Sequence, residues 1–253
     1  MADYYLGLDS AATITNPRAL TFFDFALRYL KWTDTSEITG LLGAGIAVGL
    51  IWEHGTDDAL GGAVAGSEAA QQAVAKARAL GAPEGAGIFV AVDMDTAALT
   101  EAQFATACAY CDAFVADVVE AGFTGGIYAC GDVLTATIDC VPWLAGAMGW
   151  AGSHAYDSAG SWVIKQGLPM DGGEWCGITW PSVGLQYDPN IATEIGWAWQ
   201  PDDLPAVVDI PSCFDLQTAL VVQGYDVGPS GCDGLWGKHT SDALGAYYAD
   251  HSG

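Results

Sequence analysis

Gly87-Ile88-Phe89-Val90-Ala91-Val92-Asp93-Met94-Asp95 is an apolar run with two acids at its end. A short run rich in Val, Ile and Phe reads as a strand buried on both faces, and such strands belong to parallel sheets. In parallel α/β folds the chemistry sits where the strands end, so Asp93 and Asp95 mark the expected active face. The plainer role for Asp95 is to cap the helical segment that follows, beginning at Thr96.

Working outward, the same pattern recurs. Tyr4 to Asp9 reads as a first strand ending in an acid. A helix is expected over Ala19 to Phe25, then a second strand over Ala26 to Leu30. Ser36 to Ala44 fits a helix with Ser36 as N-cap, and Ile46 to Glu53 a third strand, again ending in an acid. Ser67 to Leu80 is an Ala-rich helix closed by Gly81 and Pro83, and Ile88 to Asp93 is the fourth strand. A long helix over Glu101 to Ala121 precedes a fifth strand, Gly125 to Ala129. This alternation argues for parallel strands joined by helices. If the sheet closes into a barrel, Asp9, Glu53 and Asp93 share one rim although they are far apart in sequence. The competing explanation is that polar residues end buried strands wherever the chain meets water.

After Cys140 the pattern weakens, and Trp residues crowd the chain from Trp143 to Trp199 with Gly and Ser between them. Such residues fill cores, but in loops above a barrel they also suit sugar rings. Val183 to Asp188 is read as the last strand, with Asp188 a further rim acid. Gln200 to Pro205 is a linker by composition. Two short helices are expected beyond it, Phe214 to Leu220 and Thr240 to Tyr248, around a turn-rich stretch.

The chain has 253 residues, 51% of them hydrophobic, enough for one barrel and a small module. Seven Lys and Arg against 31 Asp and Glu give a formal charge of -24. That charge repels nucleic acid and anionic membrane, so neither is expected as a partner. The opening Met-Ala-Asp-Tyr-Tyr lacks the pattern of a signal peptide, and no apolar run has the length of a membrane span. The seven Cys include the pair Cys108 and Cys111, inside a helical pattern and without a second pair at zinc spacing; both read as buried, inert thiols. Cys213 and Cys232 bracket the C-terminal module and are candidates to pair in an oxidising medium. His54, His154, His239 and His251 lack metal-ligand spacing, and no phosphate-cradling Gly loop is present. No metal or cofactor is expected.

Two parts of the chain carry resemblances. Leu216-Gln217, Leu220, Gly224-Tyr225, Gly228-Pro229, Asp233-Gly234, Trp236-Gly237, Thr240 and Ala243-Leu244 resemble the peptidoglycan-binding domain of bacterial and phage wall hydrolases, with Trp236 in place of the usual Phe. Gly7-Leu8-Asp9, Arg28-Tyr29-Leu30, Trp52-Glu53, Leu80-Gly81-x-Pro83, the run from Ile88 to Asp95, Gly126-Ile127-Tyr128 and Tyr187-Asp188 resemble the glycoside-hydrolase-like barrel of actinobacterial cell-wall proteins and their phages. That domain is similar in turn to a lysozyme family whose fourth strand ends Asp-x-Glu, where this sequence has Asp95.

The resemblance implies an α/β fold, a (β/α)8 TIM-like barrel over residues 1–199, a linker over 200–207 and a small helical peptidoglycan-binding-like module over 208–253. It implies a cell-wall glycan hydrolase, a phage endolysin or virion-associated lysin, in the virion or in host cytoplasm before lysis and acting at the wall. The alternative is a non-catalytic virion protein that grips the same glycan. Asp93 is the expected nucleophile or stabilising carboxylate, Glu53 or Asp95 the acid, and Asp9 a charge that tunes them. Trp52, Tyr128, Asp188 and Trp236 are the expected substrate contacts. Expected partners are wall glycan and other virion proteins.

Overall fold

A computed structural model describes residues 4–201 apart from 21, and beyond them 217, 220–221, 224–229, 231, 239–240, 243 and 246. The chain divides into two compact units between Leu204 and Pro205. Among the described residues no helix is long and apolar enough to cross a membrane.

Eight strands close the first unit into a barrel: β1 (Tyr5–Asp9), β2 (Phe25–Tyr29), β3 (Ala47–Trp52), β4 (Gly87–Ala91), β5 (Thr124–Ala129), β6 (Val141–Leu144), β7 (Ile164–Gln166) and β10 (Asp188–Ala192). Between the last two lies a small hairpin, β8 (Gly173–Trp175) and β9 (Ile178–Trp180). The helices are α1 (Thr35–Gly43), α2 (Gly62–Leu80), α3 (Glu101–Glu120), α4 (Gly131–Ala136) and α5 (Ser153–Ala159). The Ala-rich helix starts five residues earlier than its sequence suggests, and Gly81 ends it in the left-handed conformation at φ 87°. The helix expected before β2 is a single 3-10 turn, Pro17–Leu20, and Asp34, not Ser36, caps α1 by accepting from the Glu37 N–H.

One departure decides where the site lies. Strands β1 to β7 run parallel, but β10 pairs antiparallel with both β1 and β7. The barrel is therefore not a uniform (β/α)8 ring. Asp188, expected at the end of the last strand, instead begins it. The reversal delivers it to the same rim, because Asp9 and Asp188 are partners in the ladder.

Strand alternation sorts the side chains. Ala26, Val48, Leu50, Trp52, Ile88 and Val90 face outward into the layer under the helices, while Phe25, Leu27, Ile51, Phe89, Tyr128, Trp143 and Ile164 fill the lumen. Trp197, from the segment after β10, plugs the lumen at a level where Gly49 and Gly87 sit. A Cβ on Gly49 would lie 2.7 Å from the Trp197 ring. The chain then returns to the barrel wall, where Trp199 and Val48 exchange backbone hydrogen bonds of 2.8 and 2.9 Å.

In the second unit, Leu220, Val227 and Ala243 form a small buried cluster with Tyr225 packed on it, and Gln217 donates to the Thr240 hydroxyl at 3.0 Å.

Candidate functional site

At the end of the barrel where the parallel strands terminate, a cavity of about 100 Å³ is lined by Tyr29, Glu53, Asp93, Tyr128, Gln166 and Asp188, over a base that includes Ile51 and Trp143. Beside it a second cavity of about 320 Å³ runs between the loop after β1 and the chain entering β10, and Tyr29 and Asp188 line both. The lining of the first is acidic and aromatic and holds no cation.

Alternation explains which residues arrive. Glu53 and Asp93 lie two residues beyond the lumen-facing Ile51 and Ala91, and they keep that direction past the strand ends. Asp9 is the last residue of β1 and is 1% exposed. One of its oxygens accepts from Gln166 Nε2 at 2.9 Å and Asn190 Nδ2 at 2.8 Å, and the other from the Tyr29 hydroxyl at 3.4 Å. Four acids from four strands thus meet at one mouth.

Gln166 is the hub. Its Oε1 accepts from the Tyr128 hydroxyl at 2.8 Å and the Gly146 N–H at 3.2 Å, which forces Nε2 toward the carboxyls; there it donates to Asp9 and, at 3.3 Å, to Asp188. Asn190 is fixed in the same way, because its Oδ1 accepts from the Trp143 indole at 2.9 Å while Nδ2 donates to Asp9.

This crowding alters proton affinities. Burial, then the charges of Asp93 and Asp9, push Glu53 up to about 7. Burial also raises Asp9 and Asp188, which are ladder partners; the donors Gln166 and Asn190 and the charge of Arg28 hold Asp9 partly in check. Asp93 is exposed, and its smaller rise is opposed by a hydrogen bond from Tyr128. That phenol has one proton, so it serves Gln166 or Asp93 but not both.

Other expected residues lie elsewhere. Trp52 faces outward, opposite in parity to Glu53, and stacks on His54 with ring centroids 4.3 Å apart, in a groove that includes Asp58, Glu68 and Tyr110. Sugar stacking by Trp52 at the mouth does not fit this position. Asp95 caps the 3-10 turn Thr96–Ala98, accepting from Ala97 N–H at 3.0 Å, and also accepts from Ala151 N–H at 3.1 Å. It holds two loops together and is absent from the cavity lining. Trp236 lies outside the described residues. Cys108 and Cys111 are buried on α3, and burial pushes both thiols up.

Sequence reasoning passed over Gln166 and Asn190. Their strands, β7 and β10, are short and lie in the Trp-rich region, where periodicity is weak. Tyr29 stood one residue before the end of a predicted strand, and that position was the available signal.

Comparison with known proteins agrees with this architecture. The structure of the Tat-secreted protein Rv2525c from Mycobacterium tuberculosis, in complex with L-tartrate, superposes with a TM-score of 0.59 at 19% identity, covering 78% of this chain and 100% of that one. An uncharacterized protein from B. stearothermophilus superposes at 0.55 and 19% identity, with 77% and 100% covered. A family 25 glycosyl hydrolase from Bacillus anthracis gives 0.50 at 13% identity, with 77% and 92% covered. No curated protein matches in sequence. The profile described as "Rv2525c-like, glycoside hydrolase-like domain" matches residues 26–186. That span exceeds half of the chain and takes in Tyr29, Glu53, Asp93, Tyr128 and Gln166, so this chain belongs to the Rv2525c-like, glycoside hydrolase-like domain family.

Proposed function

We propose that the barrel hydrolyses glycosidic bonds of cell-wall glycan. The observation that carries the reading is the meeting of Glu53, Asp93 and Asp188 around one open cavity without a cation in its lining, with Glu53 raised to about 7. Glycoside hydrolysis needs one carboxyl that keeps its proton and one that is ionised. Glu53 is the proton donor to the leaving oxygen. Asp93 is more exposed than Glu53, so it is the carboxylate that ionises first and faces the positive charge that develops on the sugar ring. Asp9 is sealed by its donors and acts by holding up the proton affinity of its neighbours.

The test is release of reducing ends from purified actinobacterial walls. Glu53→Gln and Asp93→Asn each lower release by about 10²–10⁴-fold, the range for a positioned acid or base. Asp95→Asn, which can still cap the turn, retains it. Release that survives both of the first two substitutions ends this assignment.

A second reading, wall-glycan binding without catalysis, draws on Asp95. The related lysozymes end their fourth strand with Glu at this position, and here a shorter side chain is spent on two backbone N–H groups. It is favoured if the wild type releases nothing yet sediments with walls. A phage lysin or virion setting, and a wall-binding role for residues 208–253, belong to this proposal through the C-terminal resemblance.

A further inference from the structure

The turn after β2 brings two unlike residues to the rim. Trp32 and Thr33 N–H groups both return to the Tyr29 carbonyl at 3.0 Å, which folds the chain back at the mouth. Trp32 packs against Tyr29 with ring centroids 5.3 Å apart and interplanar angle 54°, yet it stays 48% exposed. Tyr29 lines both rim cavities, so the indole extends their aromatic wall outward. Lys31 Nζ lies 5.2 Å from the centre of that indole. Lys31 also draws Glu53 downward in proton affinity, which sets its charge beside the mouth. The ion pairs among the described residues are Arg28–Glu37 and Lys165–Asp157, so within that set Lys31 has no acidic partner.

An indole left half in water next to a sugar-sized cleft offers a flat apolar face, as the C–H face of a pyranose requires. A cation beside it matters more in a chain of net charge -24 than it would elsewhere. An anionic substituent on an incoming sugar is repelled by the ionised Asp93 and attracted toward Lys31. The geometry points to Lys31 and Trp32 as a sugar subsite at the rim, where Trp32 stacks one pyranose ring of the glycan and Lys31 takes a carboxylate carried by that ring. The inference rests on the glycan reading of the mouth and adds to it a class of substrate, a polymer with acidic sugars, and an orientation.

The test is calorimetric binding to the full chain carrying Glu53→Gln, which leaves the probe uncleaved. One probe is a peptide-free glycan strand from bacterial wall, and the other is the same strand with its carboxyls reduced to alcohols. Trp32→Ala weakens both about tenfold, a loss in the range of one aromatic contact, and Trp32→Phe recovers most of it. Lys31→Gln weakens only the acidic strand, and added salt does the same. Both side chains are exposed, so melting temperatures stay level and loss of fold is not the cause. Unchanged binding in Trp32→Ala overturns the subsite, as does equal weakening of both probes by Lys31→Gln. Reducing-end release by the wild type separates the two readings: Trp32-dependent binding without release removes the hydrolase and keeps the subsite, and release with an unmoved KM in Trp32→Ala does the reverse.

Discussion

Consecutive residues of one strand, Arg28 and Tyr29, enter two polar clusters of opposite character. Arg28 points outward and is 1% exposed. It pairs with Glu37 at 2.8 Å and donates to the carbonyls of Ser10 and Ala12, while Glu37 accepts from the Ile14 N–H at 2.6 Å and the Thr33 hydroxyl at 2.7 Å. Charge is balanced there, and the cluster ties the loop after β1 to α1. Tyr29 points inward, where Asp9, Glu53, Asp93 and Asp188 gather without a cation in the cavity lining. The outer cluster answers a buried charge with its opposite and so serves the fold. The inner one leaves like charges together around an open cavity, with Asp9 sealed beneath it, which disfavours ionisation and suits chemistry.

Three measurements probe this contrast. The largest effect is expected outside. Arg28→Ala leaves Glu37 buried without its counter-ion, so chemical denaturation should show a loss of about 3–5 kcal/mol. A loss near zero would mean that the outer cluster is not structural. The next is at the inner hub. Gln166→Leu strips the Tyr128 hydroxyl and the Gly146 N–H of their acceptor and should cost about 1–3 kcal/mol. It also frees the Tyr128 hydroxyl to donate to Asp93, so the acid limb of the pH–activity profile, set by ionisation of Asp93, moves downward. An unmoved profile would make Gln166 a packing residue only. The smallest is a slope. Glu53 has an ordinary value of 4.5 and about 7 in the folded protein, so the folded state binds more protons in that window. Its contribution to stability is full below about pH 4.5 and is lost as pH rises through 7, the same direction as the raised Asp9 and Asp188. The melting temperature should therefore fall between these limits, and less steeply in Glu53→Gln. Identical slopes would show that Glu53 titrates as an exposed acid.

Much of the frame was legible because buried strands and an Ala-rich helix carry strong local patterns. Asp9, Glu53 and Asp93 each stood at or just past the end of a predicted strand, and closure of the sheet collects them. Parity was the neglected signal. Adjacent residues of a strand cannot share a face, so Trp52 and Glu53 were never both candidates for the mouth. Asp95 has the parity of Asp93, but the strand ends at Ala91 and the 3-10 turn takes Asp95 away. The reversed sense of β10 has no local signature, since five residues pair equally well in either direction and only their neighbours decide. Gln166 and Asn190 went unnoticed for a related reason. A neutral amide acquires its role from the groups that fix its orientation, and those come from β5, β6 and the loop beyond β6.

Trp197 has a consequence for how the molecule is made. The stopper of the lumen is among the last pieces of the barrel unit to leave the ribosome, and β1, among the first, must wait for β10 before its second edge is paired. A nascent chain that has emerged only as far as Ala192 would hold Phe25 and Phe89 around an unfilled shaft. Completion of the barrel is thus expected to be a late event in translation, reached once about residue 199 is free, and until then the open seam is where a chaperone would bind.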